Sequence, residues 1–120
     1  MKAAALILAV ACCAAQAAEG WREIAIANGS GAVWSVRAGR VAVTAAGIAA
    51  FVQREEGQTA MVFVATVDPK HCTARVGEVA LQTIDGEPVA RTVYQVGDSS
   101  TAERIAAALC AAYTAQRSAT

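Results

Sequence analysis

Residues 59–75 read TAMVFVATVDPKHCTAR, and they bring together the features that decide the fold. The first nine residues are almost entirely apolar and rich in β-branched side chains, which is typical of a central β-strand. Asp68 and Pro69 end that run, because proline has no N–H to donate to a β ladder. Cys72 follows beside His71, the only histidine of the chain. The segment therefore predicts a central strand that leads into a crosslink, a metal site or a reactive Cys/His pair.

The N-terminus has the pattern of a secretory signal peptide. Lys2 precedes an uncharged apolar run, and Ala15 and Ala17 frame a small-residue cleavage site. We expect residues 1–17 to be removed and residues 18–120 to form one small domain. The prediction is an exported protein, in the periplasm or on the outer surface of a bacterial cell. Lipid anchoring at Cys12 is an alternative, although Ala9 occupies the place where a lipobox has a large aliphatic residue.

The charge balance argues against a nucleic-acid partner. The 120 residues include 10 Lys and Arg and 10 Asp and Glu, for a formal net charge of zero. Neutralising phosphates would require a stripe of basic residues, and the sequence has no basic cluster. After Ala18 no apolar segment is long and uncharged enough to predict a transmembrane helix.

The middle of the chain alternates between apolar and polar residues, as strands of an antiparallel sheet do. In the first segment we expect Ile24 and Ile26 to share one face. Asn28 to Gly31 and Asp85-Gly86 provide turn chemistry, and Pro88 indicates an edge strand or a bulge. The predicted strand segments are residues 21–27, 32–37, 41–44, 48–54, 59–67, 72–84 and 89–96.

The pattern changes to a helical period near the C-terminus. Ser100 and Glu103 have the spacing of a capping box, in which the serine hydroxyl accepts from the Glu103 amide and the glutamate reaches back. Helical spacing then puts five residues on one face: Ala102, Ile105, Ala106, Leu109 and Tyr113. Residues 115–120 are expected to form a frayed tail. The predicted fold is α+β, a single twisted antiparallel meander of about six strands with a C-terminal helix packed on one face.

Two cysteines, Cys72 and Cys110, remain after the leader, and an even number in an exported chain predicts a disulfide. Such a bond would pin the helix to the sheet. Consecutive strand residues point to opposite faces, so His71 and Cys72 are expected to diverge, which argues against a reactive pair. Asp68 is the only further ligand nearby, whereas zinc sites use three or four ligands at recognisable spacings. We therefore predict no metal site here.

No pattern in the sequence indicates catalysis or a cofactor. The chain lacks glycine-rich phosphate loops and the G-x-S-x-G elbow, and its neighbouring carboxylates fall on predicted turns. We therefore predict a protein that is not an enzyme and binds no cofactor. Aromatic and arginine side chains dominate binding hot spots, and turns present charged groups to partners. The candidate partner-binding residues are Trp34, Arg54, Glu55, Glu56, Asp85 and Glu87.

Several short motifs resemble the surface-adhesin protein E family of Proteobacteria. They are Trp21 near the mature start, the segment VWSVRAGRV at residues 33–41, CTAR at residues 72–75 and ALC at residues 108–110. The resemblance implies a small antiparallel β domain with a helix. It also implies surface proteins, some of which bind host extracellular-matrix or plasma components.

Three hypotheses about function follow. The first is a non-enzymatic envelope protein, a binding module for a protein or for another envelope or host macromolecule. The second is an inhibitor or immunity protein that acts on a toxin or a cell-wall hydrolase through loops at residues 54–58 and 85–87. The third is a small hydrolase that uses unpaired carboxylates.

Overall fold

The structure, a computed structural model, describes residues 20–27, 29–37 and 41–118. The predicted signal peptide, Cys12 and residues 119–120 lie outside these ranges. The elements in chain order are β1 (Trp21–Ile26), β2 (Val33–Arg37), β3 (Ala42–Thr44), β4 (Gly47–Glu56), β5 (Thr59–Val67), a 3-10 helix (Pro69–Thr73), β6 (Val76–Thr83), β7 (Pro88–Gln95) and α1 (Thr101–Ser118).

All strands join one antiparallel sheet in the order β1-β2-β4-β5-β6-β7. The short strand β3 pairs with residues 47–49 of β4, and β2 pairs with residues 52–55. Since β5 pairs along the whole of β4, β2 and β3 lie end to end along the other edge of that strand. The predicted α+β class is confirmed: within the described ranges there are seven strands, one α-helix packed on them and one disulfide.

The segment around Cys72 is a 3-10 helix, so the prediction of a strand from residue 72 is wrong. Pro69 fixes a turn-compatible φ at the first helical position, and the Asp68 carboxylate accepts from the Lys70 N–H at 2.9 Å. Both effects favour a helical turn over continued extension. Strand β6 begins only at Val76.

Strand β1 also departs from the expected alternation. A register shift lies between Glu23 and Ala25, which makes Ile24 an extra residue in the strand. As a result Ile24 packs against the core, whereas the side chain of Ile26 is 61% exposed. The two isoleucines therefore do not share one environment as the sequence pattern predicted.

Helix α1 packs on the sheet through the predicted stripe. Ala102, Ile105, Ala106 and Leu109 are buried, and Tyr113 is half-buried. The helix continues through Ser118, so residues 115–118 are helical and do not form the expected tail.

The start of α1 has a modified capping box. As predicted, the Ser100 hydroxyl accepts from the Glu103 N–H at 3.1 Å. The Glu103 carboxylate, however, accepts from the Gly97 N–H at 2.9 Å, and the Ser100 N–H donates to Asp98 instead. The bond from Gly97 to Glu103 thus joins the two ends of the loop between β7 and α1.

The predicted disulfide between Cys72 and Cys110 is present and joins the 3-10 helix to α1. The two Cα atoms are 5.6 Å apart, within the range that unstrained disulfides span. The bond closes a loop across a sequence separation of 38 residues. It therefore fixes the position of the helix on the sheet covalently.

We expect the double variant Cys72→Ala/Cys110→Ala to be less stable by about 4 kcal/mol, because the open chain regains the entropy that the closed loop removes from the unfolded state. Urea unfolding of the oxidised protein and of the variant measures the difference. A reducing agent should destabilise the original protein and leave the variant unchanged. Equal stability of the two proteins would show that the disulfide does not stabilise the fold.

A second stability prediction concerns Gly77, which is covered by the ring of Tyr94 on the neighbouring strand. A Cβ at position 77 would lie 2.6 Å from the Tyr94 Cζ atom. We therefore expect Gly77→Ala to cost about 1–3 kcal/mol in the free energy of unfolding, as overpacking does. Tyr94→Leu in the same chain should recover part of that loss, and a double-mutant cycle measures the coupling. Strict additivity would show that the ring does not constrain this glycine.

Candidate functional site

The side of the sheet that faces α1 is only partly covered. Burial falls steeply along the side chains of β5 that point to the helix. Val67 and Ala65 are 1% and 0% exposed, Phe63 is 6% exposed, and Met61 is 48% exposed. The helix therefore lies over the end of the sheet that holds Val67 and leaves the other end open, where turns join β4 to β5 and β6 to β7.

This uncovered area forms a groove of about 440 Å³ beside the start of α1. Its floor includes Trp34 from β2, Phe63 from β5, and Val79 and Leu81 from β6. The Trp34 and Phe63 rings stack with centroids 6.2 Å apart and planes inclined by 27°. The floor therefore presents the half-buried Trp34 ring, supported by the buried Phe63 ring and continued by aliphatic side chains.

Two different elements form the sides of the groove. Thr101, Ala102 and Ile105 of α1 line it on one side, and Val89, Ala90 and Thr92 of β7 line it on the other. Most of these groups are apolar, and the polar ones are uncharged hydroxyls. A cavity of this size and lining suits an apolar group of a ligand, with a few polar atoms to orient it.

Among the described residues, Arg54 is the one charged side chain that lines the groove. It lies opposite Trp34 in the register of β2 and β4 and forms an ion pair with Glu56. Both members of the pair are partly exposed, so the pair is solvated and contributes little to stability. The guanidinium is therefore held at the groove by a weak, solvent-exposed contact.

The structure distributes the six predicted partner-binding residues over three places. Trp34 and Arg54 line the groove, and Glu56 lies beside Arg54. Glu55 follows Arg54 in the strand, so its side chain points to the opposite face of the sheet.

Asp85 and Glu87 belong to the turn between β6 and β7 and do not line the groove. The Glu87 N–H donates to the Thr83 hydroxyl at 3.1 Å, and the Thr83 N–H donates to the Glu87 carbonyl at 2.9 Å. These bonds fix the turn and leave the carboxylates exposed.

Most of the groove residues are not among those predicted from the sequence. Phe63, Leu81, Val89, Thr92 and Ile105 come from four elements, and only the register of the sheet and the position of the helix bring them together. One signal was available. Phe63, Ala65 and Val67 are alternate residues of β5, so their side chains point to the same side of the sheet, the one that faces the helix.

The loop between β7 and α1 is held by one carboxylate. Asp98 accepts from the Gln95 N–H at 2.9 Å and from the Ser100 N–H at 2.8 Å. These backbone donors lower the pKa of Asp98, because they stabilise its ionised form. The Asp98 carboxylate thus fixes Ser100, the residue before α1 that also lines the groove.

Tyr94, at the end of β7, has a raised pKa. Its burial raises the pKa, and the charge of Glu103 raises it further.

His71 and Cys72 do not form a reactive pair. Cys72 is bonded to Cys110, so its thiol is consumed. The Nδ1 atom of His71 is buried and has no hydrogen-bonding partner among the described residues. Within the same residues, no group of three or more His, Cys, Asp or Glu side chains is placed to hold a metal ion.

The chain shows no significant similarity to a protein-family model, a curated protein or a solved structure. Among the helices of the described residues, none has the length and apolar character needed to cross a membrane. Its function is therefore inferred from the side chains of the groove itself.

The bonds of Asp98 predict a pH-dependent contribution to stability. A carboxyl with a lowered pKa in the folded state stabilises the protein above its unfolded pKa of about 4, and this contribution is lost as the pH falls through the folded value. We expect Asp98→Asn to lower the unfolding midpoint at pH 7 and the difference from the original protein to shrink below about pH 4. Thermal unfolding monitored across about pH 2–7 measures it. A difference that is constant over this range would refute the stabilising role of the ionised Asp98 carboxylate.

Proposed function

We propose that this protein is a non-enzymatic binding module of the bacterial envelope and that the groove beside α1 is its binding site. The observation that carries the proposal is the half-buried Trp34 ring, which stacks on the buried Phe63 ring with Arg54 beside it. Tryptophan and arginine are the residue types that contribute most to binding hot spots. A binding role suits the lining, because apolar groups, hydroxyls and one guanidinium provide recognition rather than acid–base chemistry.

Two features support export. The first is the N-terminal sequence pattern, and the second is the disulfide between Cys72 and Cys110, since such bonds form and persist in oxidising compartments. We place the module in the periplasm or on the cell surface on these grounds. The resemblance to the surface-adhesin protein E family agrees with a surface role.

The occupant that fits the groove is a protein segment with a large apolar side chain next to a carboxylate. The apolar side chain would lie on the Trp34 ring, where burial of its surface provides most of the binding free energy. The carboxylate would take the place of Glu56 on the Arg54 guanidinium, in a charge-assisted bond of the kind arginine forms well. An apolar residue beside Asp or Glu is therefore the recognition pattern that we infer.

A second candidate function is inhibition of a toxin or a cell-wall hydrolase. It is favoured by the acidic end of the sheet, where Glu55 and Glu56 end β4 and Asp85 and Glu87 form the next turn. In this case the partner would contact exposed carboxylates instead of the groove. Basic surfaces would then be the preferred targets.

A displayed library of random peptides tests the proposed function. We expect selection on the oxidised protein to enrich peptides with a large apolar residue beside Asp or Glu. Val89→Asp introduces a charge at the side of the groove and should weaken binding of a synthetic enriched peptide at least about tenfold, by calorimetry or fluorescence. Arg54→Gln should abolish the preference for the acidic residue and keep the preference for the apolar one.

Val76→Asp is the matched control. Val76 is 48% exposed and Val89 is 49% exposed, but Val76 lies outside the groove. Its variant should bind the peptides as the original protein does. Equal loss in both variants, or enrichment of basic peptides that bind independently of Val89, would overturn the groove and favour the acidic end of the sheet.

A further inference from the structure

Strand β7 forms one edge of the sheet, and its outer side carries unpaired backbone groups. Two of its valines are exposed, Val89 at 49% and Val93 at 65%. Natural edge strands normally carry charges, prolines or bulges that prevent pairing with another chain. Strand β7 has a proline and a bulge only at its beginning, at Pro88 and Val89, and its one charged side chain, Arg91, is already bonded to Glu78 at 2.8 Å.

The pairing with β6 shows which backbone groups are free. The Val96 N–H donates to the Arg75 carbonyl at 2.8 Å, so residue 96 points to β6. Backbone groups alternate along an antiparallel strand, so Tyr94 and Thr92 also point to β6, whereas Gln95, Val93 and Arg91 point outward.

The molecule limits this free edge at both ends. The Gln95 N–H is taken by the Asp98 carboxylate at 2.9 Å. At the other end a register shift opposite Leu81 and Gln82 interrupts the regular edge near Pro88. Arg91 and Val93 remain, each with an outward N–H and an outward carbonyl, on either side of Thr92.

We propose that β7 pairs antiparallel with β7 of a second copy of this chain, with the two-fold axis at Thr92. In this register Arg91 lies opposite Val93 of the second copy, and Val93 lies opposite Arg91 of the second copy. Four hydrogen bonds then use every outward N–H and carbonyl of these two residues. A register shifted by two residues in one direction would pair Arg91 with Gln95, whose N–H is already taken by Asp98. A shift in the other direction would pair Val93 with Val89, where the register shift interrupts the edge. Either alternative therefore forms fewer hydrogen bonds.

The side chains are compatible with this register. Thr92 meets Thr92 of the second copy in a non-hydrogen-bonded pair, a favourable cross-strand arrangement. Val93 is partly removed from water by the aliphatic part of the opposing arginine. The two Arg91 side chains do not face each other, and each keeps its own Glu78.

The dimer would carry two grooves on one face. A two-fold axis through Thr92 runs perpendicular to the sheet, so both helices lie on the same side. Val89, Ala90 and Thr92 line the groove of each copy, and the two grooves therefore flank the axis. A partner with two copies of the recognition pattern would bind with avidity. The dimer itself rests on the edge of β7 and not on the proposed function.

Cysteine crosslinking tests the register. In the pairing that we propose, the two Thr92 Cα atoms are about 4.5 Å apart, close enough for a disulfide. Thr92→Cys should therefore form a covalent dimer under mild oxidation, and mass spectrometry should identify two copies of the peptide that contains the substituted position joined by a disulfide. In Val93→Cys the matching Cα atoms would be more than about 7 Å apart, so we expect crosslinking at least about tenfold slower. Equal rates in the two variants, or no crosslink in either, would overturn the proposal.

Proline scanning provides a second measurement that does not depend on a new thiol. Val93→Pro removes an N–H that points away from β6, so the sheet within one chain keeps its bonds. Sedimentation velocity over a range of concentrations should show a monomer–dimer equilibrium for the original protein and for Val93→Ala, and a monomer for Val93→Pro. Peptides selected for the groove should still bind the Val93→Pro monomer, which separates failure of the dimer from failure of the proposed function. Monomeric original protein at all concentrations would refute the dimer.

Discussion

The bond between Cys72 and Cys110 joins α1 to the 3-10 helix that follows the central strand, and the packing of the domain depends on this attachment. Three of the five buried residues of α1 are alanines, Ala102, Ala106 and Ala108. Small side chains let the helix lie close to the sheet but remove little apolar surface from water. Ile105 and Leu109 supply the remaining contact, and the covalent bond adds what the apolar contact of a small domain cannot.

The groove is a consequence of the same attachment. Because α1 is held over the end of the sheet near Val67, the helix-facing side at the other end has no cover. Strand β4 is ten residues long and continues past the helix, carrying Arg54 and its neighbours into the open region. The strands are thus longer than the area that α1 covers. The covered end of the sheet forms the core, and the uncovered end forms the groove.

Features that depend on the residue types of one segment were predictable from the sequence. Features that depend on how the strands pair with one another were not. Thr59–Val67 is a strand with its predicted bounds, and the pairing of the cysteines was unambiguous once two remained. The 3-10 helix was missed because the turn that Asp68 and Pro69 begin continues through Thr73, which apolar alternation does not signal. The extra residue at Ile24 was missed because a bulge changes the alternation by one residue. The groove was missed for a related reason. Trp34 and Phe63 are neighbours only through the pairing of β2, β4 and β5, which no single segment encodes.

The two edges of the sheet differ in how well they resist pairing. At β1 the extra residue at Ile24 disturbs the edge, and the Arg37 guanidinium lies 5.8 Å from the Trp21 ring at its start. At β7 the register shift near Pro88 interrupts one end and Asp98 takes the Gln95 N–H at the other, which leaves the outward groups of Arg91 and Val93 between them. That same carboxylate orients the beginning of α1, so one residue limits the free edge and positions a side of the groove. Because β7 contributes to both surfaces, a partner strand at its edge would hold in place the residues that line the groove.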